Sequence, residues 1–458
     1  MISSPSIVLV DDNKEDLDEL QDSFIRSGYP CFPILYENND SSNETGIDHV
    51  RLDMINPRVI ISDLNLQELQ HIDEKTLVAP IAEVLKKLSI DGPYILYFWS
   101  KNTSVVPKVM ELIEQRYKND IFYPLHWGIL DKSEFKGKPD GLAEKVKNLF
   151  SEIPMFNALY GWENRVSKAA QSTADSLFRL AKPDSYTGIN DFQEKVTTRL
   201  QAILAVIGNE TIGHQNAKDD PEIAIELGLQ PVLHDHIQSA YEHIERSEWL
   251  NAAPKIGERL KADDDVRAHL NSFYHMEEVS SDVSKNKRGM WIELAPSYFD
   301  DSDKFSKIKQ NFGKELKSII HDEFLDNKRG NKIERKAARD ATKLGFVEVS
   351  AECDQAQRKT KLHRYFLSAL IPIEHANLTY FRDGKNDTAH GGIYRLPNLM
   401  IENNEYIVKI SFMYPIGIIP DINKWLGEPK FRLKDQILAD ISFKASQHTA
   451  RPGIIRFD

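Results

Sequence analysis

Three carboxylates, a hydroxyl and a lysine stand at the ends of successive apolar runs in the first third of this chain. Together they could hold a divalent cation and a phosphoryl group. The run Ile7–Val10 leads into Asp11 and Asp12, Val59–Ile61 into Asp63, Tyr94–Phe98 into Ser100, and Gly128–Leu130 into Lys132. Clustered carboxylates repel one another unless a cation lies among them, and hard oxygen donors suit Mg2+. A lysine opposite them can hold a phosphoryl oxygen as a point charge, while a hydroxyl donates to another. Singly, each residue has an ordinary role: an Asp or Ser after a strand caps a helix or forms a turn, and a lysine is a solvated side chain. The shared position at the ends of the runs sets these five apart.

The elements that must carry them follow from the pattern. A further apolar run, Cys31–Leu35, and the helix-like segments Glu15–Ser27, Leu77–Leu88, Val105–Lys118 and Gly141–Phe150 alternate with the others. In Glu15–Ser27, Leu17, Leu20, Phe24 and Ile25 recur at helical spacing and Gly28 follows as a stop signal. This alternation predicts a five-stranded doubly wound parallel sheet, whose ligands bind at the carboxyl ends of the strands.

The text IVLVDD, VIISDLNL, YILYFWS and GILDK resembles the receiver domain of two-component response regulators, a flavodoxin-like fold. The resemblance implies that Asp63 is the nucleophile that accepts a phosphoryl group as an acyl phosphate. It further implies that Asp12, supported by Asp11, holds Mg2+ with Asp63 and the backbone carbonyl of Asn65, and that Ser100 and Lys132 contact the transferred group. Four features depart from the family pattern. Lys101 follows Ser100 where receivers carry a small residue, and Ser133 replaces the proline after the lysine. Ile129 stands where many receivers place an aromatic ring, and the polar stretch Glu37–Asp48 extends the region after the second strand.

Residues 1–154 are thus read as a receiver-like phosphoacceptor domain, 155–285 as a helical middle domain and 286–458 as a C-terminal α+β, partly barrel-like domain. The middle shows long helical stretches, Phe192–Ile207 and Leu233–Leu250, broken at Gly208–Gly213 and Asp219–Pro221. Its His214, His234, His236 and His243 read as surface or capping residues, although a phosphotransfer role on a helix is open. The helices could also form a dimerisation bundle, which makes a homodimer one expected assembly. In the last domain, β-rich runs fall at Gly345–Ser350, Arg364–Ile373, Tyr406–Met413 and Gly453–Phe457. Between Lys304 and Lys343 twelve Lys/Arg face six Asp/Glu. That stretch could touch phosphate backbones, but its most basic part lacks aromatic stacking platforms, so a solvated helix face is the favoured reading. The segment FVEVSAECDQAQRKTKLHRYFLSALIP faintly resembles a strand–loop–strand feature of small SH3-like barrels, among them toxin-type ribonucleases. Cys353 and Asp354, with Gln357, Lys359, His363, Arg364, His390 and Arg451, would carry such chemistry. A loop cysteine among surface charges is the preferred reading, and no Walker loop or second hydrolytic motif points to an enzyme beyond receiver chemistry.

Composition bounds the remaining choices. The chain has 458 residues, a net charge of −12, 41% hydrophobic and 28% charged residues, which excludes wholesale disorder and a chain-wide nucleic-acid coat. With only Cys31 and Cys353, neither a disulfide framework nor a four-cysteine zinc site can form, and a reducing cytoplasm is the expected location. The stretch Ile407–Pro420 is interrupted by Lys409 and too short to span a membrane. The domain arrangement also resembles the receiver-type regulators of Detocs-like anti-phage phosphorelays. That resemblance implies a partner histidine kinase, a second receiver-containing effector, and a role as a phosphate sink in antiviral defence. The alternative expectation is a receiver-controlled nucleic-acid-binding or ribonuclease-like effector.

Overall fold

The computed structural model describes residues 6–450 apart from 39–45, 53–54, 68–72, 136–140, 143, 146–147, 149–151, 241–246, 261–262, 281, 296–308, 327–328, 352–353, 356–359, 380–388, 391 and 420–423. The chain divides into two compact units, Met1–Leu180 with Val232–Glu258, and Ala181–Pro231 with Arg259–Asp458.

In the first unit, β1 (Ile7–Asp11), β2 (Cys31–Leu35), β3 (Val59–Asp63), β4 (Ile95–Ser100) and β5 (His126–Asp131) form an all-parallel sheet of order β2-β1-β3-β4-β5. Every residue of β1, β3 and β4 is buried. This is why these strands read as unbroken apolar runs: both faces of a parallel sheet are covered. Alternation splits the strands between two cores. Val8, Val10, Ile60, Leu96 and Phe98 pack with α2 (Glu74–Lys87) and α3 (Val106–Tyr117). Ile7, Leu9, Val59, Ile61, Tyr97 and Trp99 pack with α1 (Lys14–Arg26) and with Phe156. The strand order reverses direction beside β1, so the carboxyl ends of β1 and β3 flank a switch point.

Local chemistry fixes these elements. The Asn13 side chain accepts from the backbone N–H groups of Glu15 and Asp16 and so starts α1. Gly28, at φ 80°, ends it in the left-handed region that a Cβ disfavours. Residues 36–58 cross from β2 to β3 without a helix among the described residues; Glu37 and Gly46 pair through an antiparallel bridge, and Tyr36 and Ile47 fill the core in a helix's place. A short α4 (Lys132–Phe135) follows β5, and helical backbone recurs at 141–142 and 144–145. The long α5 (Pro154–Ala181) is tied to the sheet domain by Arg58, whose Nε lies 2.8 Å from Glu163, and by Ser6 and Tyr160, whose hydroxyls are 2.7 Å apart.

The second unit begins with α6 (Ile189–Ile212), α7 (His214–Asp219) and α8 (Pro221–Ala240), the last running from Val232 on into the first unit's residues. The expected break at Gly208 is displaced: α6 continues through it and stops at Gly213, at φ 84°. Gly208 instead gives α8 room to approach, since a Cβ there would lie 3.3 Å from that of Ala224. Further on come α9 (Ser247–Ala252, first unit) and α10 (Asp264–His275).

The rest is a curled, wholly antiparallel sheet of order β10-β11-β13-β9-β8-β7-β14-β6, with β12 paired to β13. Its strands are β6 (Met276–Glu278), β7 (Met290–Leu294), β8 (Lys343–Glu348), β9 (His363–Pro372), β10 (Ala389–His390), β11 (Ile393–Arg395), β12 (Leu399–Ile401), β13 (Asn404–Ile418) and β14 (Leu426–Leu433). One face packs on α11 (Leu316–Ile319), the following π-helical turn and α12 (Lys332–Ala341); the other packs on α13 (Asp435–Thr449). Strands expected near β8, β9 and β13 are present, whereas β6, inside the stretch read as a helical middle domain, and β7, β10, β11, β12 and β14 fall outside the expected runs. The expected strand Gly453–Phe457 lies outside the described residues. No described helix is long and apolar enough to cross a membrane.

Candidate metal centre

Register explains why the acidic side chains meet. Val10 pairs with Ser62, so Asp11 and Asp63 stand level on neighbouring strands, and Asp63 pairs with Trp99 on β4. Asp11 and Asp63 continue the alternation of Ile7, Leu9, Val59 and Ile61, which face α1. Ser100 pairs with Asp131, immediately before Lys132. All five predicted residues therefore fall on the carboxyl rim of the sheet.

Lys132 is the hub. It is 7% exposed, and its Nζ lies 2.9 Å from Asp11 Oδ2, 3.1 Å from Asp63 Oδ1 and 3.1 Å from Asp16 Oδ2. Asp11 is fully buried and also accepts the Asn13 N–H at 2.9 Å, while Asp63 accepts the Asn65 N–H at 3.0 Å. Burial works against the Lys132 ammonium, but Asp63 and Asp11, with hydrogen bonds to Asp11 and Asp16, outweigh it and hold its pKa above the ordinary lysine range. Burial raises Asp11 to about 7; Lys132 pulls against that and Asp63 adds to it. Shifts of this kind cluster at sites that change charge state, and buried ion-pair networks produce them as well.

Ligand oxygens of Asp11, Asp12 and Asp63 all lie within 4.8 Å of one another. Three hard oxygen donors at that spacing fit a small divalent cation such as Mg2+, and the Asn65 backbone, already tied to Asp63, is next to them. Ser100 is buried on the same rim, with its Oγ accepting the Asn102 N–H at 3.1 Å. Alternation turns it toward the face of Leu96 and Phe98, opposite to that of Asp63. Asp16 was missed in the sequence; the signal was available, since the first turn of the helix starting after Asp12 must pass over the same rim.

The departures have defined places. Lys101 is exposed, and Ser133 folds back on Asp131, its N–H and hydroxyl both meeting Oδ1, at 2.8 and 2.6 Å. Ile129 packs against the core facing α2 and α3.

The other candidates do not converge with this site. His214 and His234 are exposed, His234 bonding Gln238 at 2.8 Å, and His236 Nδ1 lies 2.9 Å from Thr173 Oγ1. His363 is buried and its Nδ1 is 3.0 Å from Glu348 Oε1, while Arg364 and Asp354 are exposed. His243, Cys353, Gln357, Lys359 and Arg451, and the side chain of His390, lie outside the described residues. In the basic stretch, Lys332 and Lys336 are exposed on α12 and Arg335 is half-buried. A scan against models of known protein families and a search of curated proteins each returned no match.

Proposed function

We propose that the first unit is a receiver-like phosphoacceptor in which Asp63 takes a phosphoryl group from a partner histidine kinase. The observation that carries this reading is the Lys132 ammonium held between Asp11 and Asp63 at the carboxyl rim of a parallel sheet. Supporting it, the order β2-β1-β3-β4-β5 is that of flavodoxin-like sheets, whose ligands bind at the switch point.

In this reading Asp11, Asp12 and Asp63, with the Asn65 carbonyl, hold Mg2+, which supplies positive charge to the transferred group. Asp63 attacks phosphorus through a carboxylate oxygen, and the donor's phosphohistidine nitrogen leaves. Lys132 moves its charge from the carboxylates to a phosphoryl oxygen; for Ser100 to meet another, its hydroxyl must leave the Asn102 N–H and swing round the end of β4 from the face it occupies. Catalysis is positioning and charge neutralisation, as general for phosphoryl transfer. Asp16 keeps Lys132 anchored while the Asp63 carboxylate becomes an acyl phosphate and the phosphoryl oxygens take over part of its contact with the ammonium.

The protein is further read as a regulator, a phosphate sink that draws phosphoryl groups away from a competing receiver-containing effector in antiviral defence. A phosphotransfer time course from histidine kinases, with and without Mg2+, tests both parts. Rapid Mg2+-dependent capture that lowers the label on a second receiver, and loss of capture in Asp63→Asn, are expected. Undiminished capture by Asp63→Asn contradicts the site; capture that leaves the second receiver's label unchanged contradicts the sink.

A further inference from the structure

We propose that the second unit holds a binding cavity for a small organic anion bearing a phosphate or carboxylate group, with Arg267 and Arg395 as the anion-recognising residues. The cavity, about 450 Å3, lies between α10 and the chain joining β11 to β12. Its lining includes Arg267, Asn271, Ile373, Arg395, Asn398 and Glu405. That volume is in the range of small-molecule sites, and a concave, mainly polar lining with two guanidinium groups suits an anionic ligand.

The polar walls are fixed before any ligand arrives. Arg395 Nη2 donates to Asn398 Oδ1 at 3.0 Å, Asn398 Nδ2 donates to Glu405 Oε1 at 2.8 Å, and Asn271 Nδ2 donates to the Asn398 carbonyl at 2.9 Å. This chain joins a helix, a turn and a strand, so the Arg395 guanidinium has a set plane and little rotamer freedom is lost on binding. Arg267 approaches from the helix side, on an exposed face of α10.

A second basic residue stands beside Arg395 in the sheet. Arg395 pairs across the strands with Lys409, which puts the two side chains on one face of the sheet. Lys409 is 2% exposed and its Nζ donates to the Phe324 carbonyl at 3.1 Å. Burial and then the neighbouring Arg395 push its pKa down to about 7, with Asp326 acting in the opposite sense. A concave pocket of this size admits a metabolite rather than an extended phosphate backbone. The inference is independent of the phosphoacceptor reading, since every residue in it belongs to the second unit.

Isothermal titration of the full chain, freed of divalent cations by passage over a chelating resin, with inorganic phosphate, citrate and a nucleoside monophosphate as separate probes, tests the site. Saturable binding of at least one probe is expected, weakened about tenfold or more in Arg267→Glu and in the milder Arg267→Gln, both on an exposed helix face. Binding of phosphate or the nucleotide without citrate assigns phosphate recognition; the reverse assigns carboxylate recognition. Absence of saturable binding by all three, or binding that both Arg267 variants leave unchanged, overturns the proposal.

Discussion

Replacing Lys132 by methionine isolates the electrostatics of the rim. The methionine retains most of the stem's packing and removes one ammonium from a position 2.9 to 3.1 Å from three carboxylates. Breaking a buried ion pair by removing one partner costs about 3–5 kcal/mol, because the other charge is left in a low-dielectric site. Hydrogen exchange of peptides covering β1 and β3 in the full chain reads that loss locally, as roughly 100- to 4,000-fold faster opening at one tenfold step per 1.4 kcal/mol. The sign of the pH effect follows from Asp11. Its folded pKa, about 7, lies above the ordinary 3.8, so the folded state binds the extra proton between those values and stability falls as pH rises through that window. Removing Lys132 deepens this penalty. The loss relative to wild type is therefore largest above pH 7 and shrinks as pH falls toward 4. Mg2+ should also shrink it, by restoring positive charge to the same oxygens. A loss below about 1 kcal/mol, or one indifferent to both pH and Mg2+, refutes the reasoning.

Further expectations concern single residues. Asp16→Asn should leave Mg2+ binding to the Asp11, Asp12 and Asp63 set within about threefold, measured by titration, since its carboxylate meets Lys132 and is not part of the three-carboxylate group. Lys409→Met should stabilise the second unit at pH 7 by about 1–3 kcal/mol. Because the folded pKa of Lys409 is depressed to about 7 from 10.5, the wild-type unit should gain stability as pH rises between those values, and the variant should lose that slope in urea titrations. Gly345→Ala should destabilise the β7–β8 pair by about 1–3 kcal/mol, seen as a lower thermal midpoint, because its Cβ would press on the Trp291 ring and the Ile292 carbonyl.

The first unit was readable because a buried parallel sheet demands apolar strands, and β1, β3, β4 and β5 each end at a polar residue on the rim. Asp11, Asp12, Asp63 and Lys132 were found by that rule alone. Asp16 was not, because an acid in a first helical turn reads first as a favourable end charge, even where that turn must pass over the rim. The antiparallel sheet was harder. In β14, Gly427 and Pro429 interrupt the run and its outer residues are polar, with shifts of register beside Pro429. In β6 only three residues pair, and the sequence around them continues a helix. The cavity at Arg395 was hidden for another reason: Arg267, Arg395 and Lys409 are brought together by tertiary pairing, with no local spacing to announce them.

The central claim is that Asp63 carries the phosphoryl group. Incubation of the full chain with acetyl phosphate and Mg2+, followed by borohydride reduction and peptide mapping, tests it most directly, because an acyl phosphate is reduced to the corresponding alcohol while unmodified carboxylates survive. The alcohol is expected at position 63, dependent on Mg2+ and absent from Asp63→Asn. Reduction at another carboxylate, or none at all in protein shown to be folded and to bind Mg2+, contradicts it.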